Sequence, residues 1–167
     1  MLHFTAKIVK QIFKEEETMY TFEIIVGTTL GSAEYAADHL AEKLIDQGFQ
    51  VNIHLDPKLE SLPIDSKHAW IICTATHGAG DYPDNIAPFA QQLQQSSPDL
   101  NLIKYSVIAL GSKSYDQFCH AGHMIDLQLA KLNAKKAAET FEICSVETQI
   151  PEDAIDGWYP QWVNNWL

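Results

Sequence analysis

AWIICTATHGAGDYPDN, residues 69–85, sets a continuous apolar run directly against a polar, permissive loop. Ala69 to Thr74 offers no polar face, the pattern of a strand buried on both sides. Thr76 to Asn85 then holds two glycines, a proline, a histidine and two aspartates, none of which a core would bury. A buried parallel strand that opens into such a loop is the ligand-facing half of a β-α unit. The chain on either side should therefore repeat that unit.

It does. Upstream, Tyr20 to Val26 is rich in β-formers and Ser32 to Gln47 carries Ala33, Ala36, Ala37, Leu40, Leu44 and Ile45 at helical spacing, with Gly48 as its stop. Phe49 to Leu55 alternates as a strand does. Downstream, Asn85 to about Gln95 reads as a helix, Tyr105 to Leu110 as a second buried strand, and Asp116 to Leu132 as a helix ending at Asn133. Ala138 to Ile143 reads as the last strand, and Glu152 to Trp166 as a closing helix begun by Pro151. This alternation gives an α/β fold, a doubly wound parallel sheet with helices on both faces. Residues 1–18, with Phe4, Ile8 and Ile12 weakly amphipathic, are expected to be a flexible extension ahead of a domain spanning 19–167.

Ligands in such sheets lie outside the carboxyl ends of the strands, so three loops matter. Gly27-Thr28-Thr29-Leu30-Gly31-Ser32-Ala33 combines hydroxyls with free amides at a helix start, a neutral anion site in which Ser32 could equally be a plain cap. It has neither the lysine of a P-loop nor a G-x-G-x-x-G fingerprint. Ala75-Thr76-His77-Gly78-Ala79-Gly80-Asp81 lets backbone approach a flat ligand, or is a long solvent loop. Leu110-Gly111-Ser112-Lys113-Ser114-Tyr115-Asp116-Gln117-Phe118-Cys119 adds an aromatic at the sheet edge, able to stack on a planar ring or to pin its own loop.

The motifs G-T-T-L-G-S-A-E, T-H-G-A-G-D-Y-P-D-N and L-G-S-K-S-Y-D-Q-F-C, in this order and at these strand ends, resemble those of the flavodoxin family and of the FMN domains of diflavin reductases, over residues 19–167. The resemblance implies a five-stranded sheet of order 2-1-3-4-5 with FMN as cofactor. Thr28, Thr29, Leu30, Gly31, Ser32 and Ala33 would surround its phosphate. Ala75, Thr76, His77, Gly78, Ala79, Gly80 and Asp81 would lie on one side of the ring system. Leu110, Gly111, Ser112, Lys113, Ser114, Tyr115, Asp116, Phe118 and Cys119 would lie on the other, with Tyr115 as the outer stacking aromatic. The Gly78 peptide would turn with redox state, and Glu147 would supply an acidic contact. His77 stands where many relatives have Tyr or Trp, and Leu30 where a Thr is common, which predicts looser FMN retention.

Charge fits a carrier better than a nucleic-acid binder. The formal net charge is -11, all 11 basic residues are Lys, and Arg is absent. Phosphate backbones require clustered positive charge, whereas an acidic surface steers basic protein partners or equally serves plain solubility. At about 6 Å and an effective dielectric of about 20, each such charge contributes roughly 2–3 kcal/mol against added negative charge on a flavin. No apolar run reaches the roughly 18 residues of a membrane span. Three cysteines without a C-x-x-C pair suit a reducing, cytoplasmic setting, with Cys73 and Cys144 as small core residues. Cys119, His120 and His123 supply at most three metal ligands, and Ser112 or Ser114 with His77 lacks a nucleophile elbow. A phosphorelay receiver would need acids after the first strand, where this chain has threonines.

The expected function is a monomeric single-electron shuttle, a carrier rather than a stand-alone enzyme. By family analogy it would work between a flavoprotein reductase and an iron–sulfur or radical enzyme such as biotin synthase. The alternatives are a regulatory module on the same scaffold that holds flavin weakly, and a flavin-dependent quinone or azo reductase.

Overall fold

The structure, a computed structural model, describes residues 19–167; the expected extension 1–18 lies outside the described residues. Strands β1 (Thr21–Gly27), β2 (Gln50–His54), β3 (His68–Thr74), β4 (Lys104–Gly111), β5 (Lys135–Lys136) and β6 (Phe141–Cys144) form one sheet. Helices α1 (Ser32–Asp46), α2 (Ala87–Ser96), α3 (His120–Lys131) and α4 (Pro151–Trp162) connect and flank them. All pairings are parallel and run β2-β1-β3-β4, with β5 and β6 both on the far side of β4. The anticipated order 2-1-3-4-5 holds.

The fifth position differs from the single strand expected over 138–143. It is filled by two short strands, β5 opposite Lys104–Tyr105 and β6 opposite Ile108–Gly111, and the pairing offset grows by two residues between them. A side-chain hub holds this excursion in place. Asp126 on α3 accepts Lys136 Nζ at 2.7 Å, Thr140 Oγ1 at 3.3 Å and Tyr105 O–H at 2.6 Å. Burial and the Asp126 hydrogen bond together push the Tyr105 hydroxyl well above its ordinary range, so it stays a donor.

β1, β3 and β4 are buried along nearly their whole length because helices cover both faces. Ile24, Ile71 and Ile108 pack on one face with Leu40 and Leu44 of α1 and Trp162 of α4. Ile25, Ile72 and Val107 pack on the other with Phe89 and Leu93 of α2 and Ile125 of α3. Each such large side chain contributes roughly 1.5–3 kcal/mol on burial, which makes the sheet the rigid platform for its loops. β2, at the edge, is exposed or half-buried throughout.

Helix starts depart from expectation where loop chemistry intervenes. α3 begins at His120 rather than Asp116, because Cys119 sits at φ 55° and Tyr115 N–H closes a turn on the Ser112 carbonyl at 3.1 Å. α1 is not capped by Ser32. Its N-cap is Gly31 at φ 97°, and the Thr28 hydroxyl accepts the Gly31 N–H at 2.9 Å. α4 ends at Trp162 and continues as a 3₁₀ turn over Val163–Trp166. α3 approaches β4 through Gly122, where a β-carbon would lie 2.4 Å from Ala109 Cβ. That contact brings the start of α3 up to the loop ends.

A cleft at the carboxyl ends of the strands

The loops after β1, β3, β4 and β6 enclose a cleft of about 630 Å³, within the range of small-molecule sites. Thr29, Leu30 and Ser32 line it from the first loop, and Ala75, Thr76, His77 and Gly78 from the second. Leu110, Gly111, Ser112, Tyr115 and Gln117 come from the third. The fourth loop, which the sequence reading did not count, adds Ser145, Thr148 and Gln149 beside Ile143 and Pro151.

Two side chains, Asn85 from outside the loop and Thr28 from within it, hold the first loop. Thr28 N–H is taken by Asn85 Oδ1 at 2.9 Å and Gly31 N–H by Thr28 Oγ1. Among the described residues no protein acceptor takes the N–H of Thr29, Leu30, Ser32 or Ala33. These donors stand at the positive end of the α1 dipole, next to the hydroxyls of Thr29 and Ser32. Leu30 is 94% exposed at the lip, and Ala33 is fully buried beneath the loop, its carbonyl accepting Cys73 Sγ–H at 3.4 Å.

The second loop is a tight turn. His77 and Asp81 exchange both backbone hydrogen bonds at 2.8 Å. The two glycines within it differ in circumstance. Gly80, at φ 117°, would put a β-carbon 3.1 Å from Gln117 Cβ and from His120 Nδ1, and its carbonyl accepts His120 Nδ1–H at 2.9 Å. Gly78, at φ 52°, has nothing within 4 Å of where a β-carbon would sit. One glycine is packed against α3 and the other borders open space. Thr76 Oγ1 accepts Ala121 N–H at 3.3 Å, a second tie to α3, and Thr29 Oγ1 lies 3.4 Å from His77 Nδ1, the contact between first and second loops.

The third and fourth loops are joined by Ser145 N–H to the Gly111 carbonyl at 2.8 Å and by Lys113 Nζ to Glu147 at 2.9 Å. The Glu147 carboxylate raises the Lys113 ammonium above its ordinary value, so the lysine stays protonated in this exposed pair. Glu147, expected as an acidic contact, ties the loop through Lys113 and is not among the residues lining the cleft. Tyr115 is 71% exposed and faces the cleft.

Not every expected residue reaches the lining. Ala79, Asp81, Ser114 and Asp116 are exposed away from it, and Phe118 is half-buried beneath Lys113 at 5.8 Å. Cys119 is fully buried, its Sγ–H donated to the Ala109 carbonyl at 3.2 Å, and burial pushes that thiol to about 12. Its neighbours diverge from it: His120 serves Gly80 and His123 meets Glu142 Oε2 at 3.0 Å. Missed in the sequence were Gln117, the Ser145, Thr148 and Gln149 lining of the loop from which only Glu147 was singled out, and Asn85; the last lies in the opening motif, where only its helix-starting role was read.

Comparison with known proteins agrees with this geometry. The Flavodoxin family model matches residues 24–158. Protein MioC of Escherichia coli (strain K12) is 42% identical over 146 residues, 87% of this chain and 98% of the relative. Flavodoxin YqcA of the same strain is 34% identical over 140 residues, 83% and 93% of the two chains. The sulfite reductase [NADPH] flavoprotein alpha-component of Shewanella oneidensis is 32% identical over 134 residues, 80% of this chain but 22% of that protein. In fold, a mutant flavodoxin from Pseudomonas aeruginosa superimposes with a TM-score of 0.80 at 24% identity, covering 87% of this chain and 98% of its own. The chain belongs to the flavodoxin family, whose cofactor is FMN.

Proposed function

We propose that residues 19–167 form one FMN-binding domain that carries single electrons, as a monomer in the cytoplasm, from a flavoprotein reductase to an iron–sulfur or radical enzyme, biotin synthase being one candidate. The observation that carries this is the division of the cleft. One end gathers amides that no protein acceptor takes, beside the hydroxyls of Thr29 and Ser32, and the other offers Leu110, Ile143 and Tyr115. That donor set fits a phosphate at one end and a flat ring at the other, without a cation and therefore without the salt sensitivity of an Arg or Lys site.

FMN, when bound, supplies the redox chemistry, since it accepts and donates electrons one at a time. The protein's part is to hold and tune. Thr29, Leu30, Ser32 and Ala33 direct N–H groups at the anion, reinforced by the α1 dipole. Tyr115 covers one face of the ring, while His77 and Gly78 border the other. Gly78 can turn its carbonyl in or out at little steric cost, and Gly80, fixed by His120, anchors the turn while it does so. Asp81, Asp84 and Asp116, exposed on the loops around the cleft, keep its surroundings acidic, which favours partners with basic surfaces.

A second reading, a regulatory module with weak flavin affinity, is favoured by one observation: Leu30 is 94% exposed and adds no hydroxyl to the anion end. One experiment separates the two. FMN is added to the purified protein, the mixture is gel-filtered, and absorbance is followed during stepwise reduction. Flavin co-eluting with protein and reduced in two resolved one-electron steps supports the carrier. No flavin retained at micromolar protein supports the module.

A further inference from the structure

At their carboxyl ends β1 and β2 part company, and one side chain fills the gap. The ladder between them ends at Ile25 and His54. The next carbonyls on each strand, Val26 and Leu55, both accept from the carboxamide of Asn85, at 2.7 and 2.9 Å. The same carboxamide accepts Thr28 N–H through Oδ1 at 2.9 Å. Its orientation is unambiguous, since Thr28 presents a donor and the two carbonyls present acceptors. Three of its four hydrogen-bonding positions are used, and all three partners lie far away in sequence.

Thr28 is where the first loop leaves the sheet. Its own hydroxyl then accepts Gly31 N–H, directly between the unclaimed amides of Leu30 and Ser32. Asn85 therefore fixes the root of the anion loop, and Thr28 passes that constraint to the turn preceding α1. We propose that Asn85 is a positioning residue for the phosphate end of the cleft: it touches no ligand, but holds Thr28–Ala33 in the arrangement that presents free N–H groups to an anion. The inference rests on the FMN reading above and adds to it a residue in the second loop's motif acting on the first loop. Pre-organised donors bind without the cost of ordering themselves, so loosening them reduces phosphate recognition and leaves ring stacking intact.

The test compares FMN with riboflavin, which has the same ring and no phosphate, on the wild-type chain, Asn85→Ala and Asn85→Asp. In the wild type FMN binds more tightly than riboflavin. Asn85→Ala narrows that ratio by about tenfold, the effect of one lost hydrogen-bonded constraint, with riboflavin affinity little changed. Asn85→Asp narrows it further, because an oxygen replaces the donor facing Val26 and Leu55 and adds negative charge beside an anion site. A ratio unchanged in both variants, whether the two affinities fall together or stay, overturns the inference. A wild type that binds neither flavin overturns the FMN reading itself and is distinguished by that column alone. Should the variants fail to fold, hydrogen exchange in the wild type decides: a protected Thr28 amide beside fast-exchanging Thr29 and Leu30 amides supports the proposal, and a fast Thr28 amide overturns it.

Discussion

His120 Nδ1–H donates to the Gly80 carbonyl at 2.9 Å, joining the first residue of α3 to the turn between β3 and α2. This one bond sets the two glycines of the turn apart, since Gly80 is held against α3 and Gly78 has open space where a β-carbon would sit. Replacing Gly80 by Ala demands a left-handed φ of 117° and forces a β-carbon to 3.1 Å from Gln117 Cβ and His120 Nδ1. We expect about 2–4 kcal/mol of destabilisation for Gly80→Ala, from backbone strain plus overpacking. Gly78→Ala, at φ 52° in open space, costs only about 1 kcal/mol. Urea denaturation of both variants without flavin checks the difference.

Tyr115 offers the complementary separation of binding from stability. At 71% exposure it adds little to the core, so Tyr115→Ala leaves the urea midpoint nearly unchanged. An aromatic stacking contact is worth about 0.5–1.5 kcal/mol, so affinity for both FMN and riboflavin drops about 2- to 10-fold. Fluorescence titration with the two flavins measures it. The equal effect on both ligands is what distinguishes this residue from Asn85.

Asp156 on α4 joins α1 through Lys43 Nζ and His39 Nε2, each at 2.7 Å. The Lys43 hydrogen bond, then that of His39, holds its carboxyl below the ordinary 3.8. A depressed folded-state value means the stabilisation is fully present above the unfolded value and disappears as pH falls through the folded one. Asp156→Asn should therefore be less stable than wild type near neutrality and converge on it below about pH 3.8. Both partners are solvent-accessible, so the gap is small and closes in high salt. Urea midpoints at a series of pH values test the convergence.

The thiols rank themselves by environment. Burial pushes Cys73 and Cys119 to about 12, so neither forms thiolate near neutrality. Cys144 is lowered instead, chiefly by the Lys113 N–H directed at its sulfur at 3.4 Å. Cys144 is only 4% exposed, so iodoacetamide treatment of the native protein followed by peptide mapping should find it modified slowly, yet ahead of the fully buried Cys119 and Cys73.

Strand positions and loop identity were legible in the sequence because both rest on local pattern, while sheet order came from the family resemblance. AWIIC and YSVIAL are too uniformly apolar to be anything but central strands, and glycine, proline and hydroxyl residues mark where each strand lets go. Helix starts were less legible. Asp116–Cys119 has helical composition, but the Ser112–Tyr115 turn and the left-handed Cys119 delay α3 to His120.

Glu23 shows where local pattern gives out. It interrupts β1 as an acid that alternation would place in solvent, yet it is 2% exposed. Asn52 Nδ2 at 3.1 Å and His54 Nε2 at 2.6 Å, both from β2, make its burial tolerable. Asn85 is the same case at the cleft, a residue with a plausible local role whose three partners come from β1, the first loop and the end of β2. The amino-acid order by itself determined which segments become strands, which loops face a ligand, and that no guanidinium can hold its phosphate. Only the tertiary structure decided which loop residues line the cleft, which glycine is packed against α3, and which side chain ties the first loop to β1 and the end of β2. Periodicity and turn chemistry act between near neighbours in the chain, whereas polar side chains choose partners by distance in space.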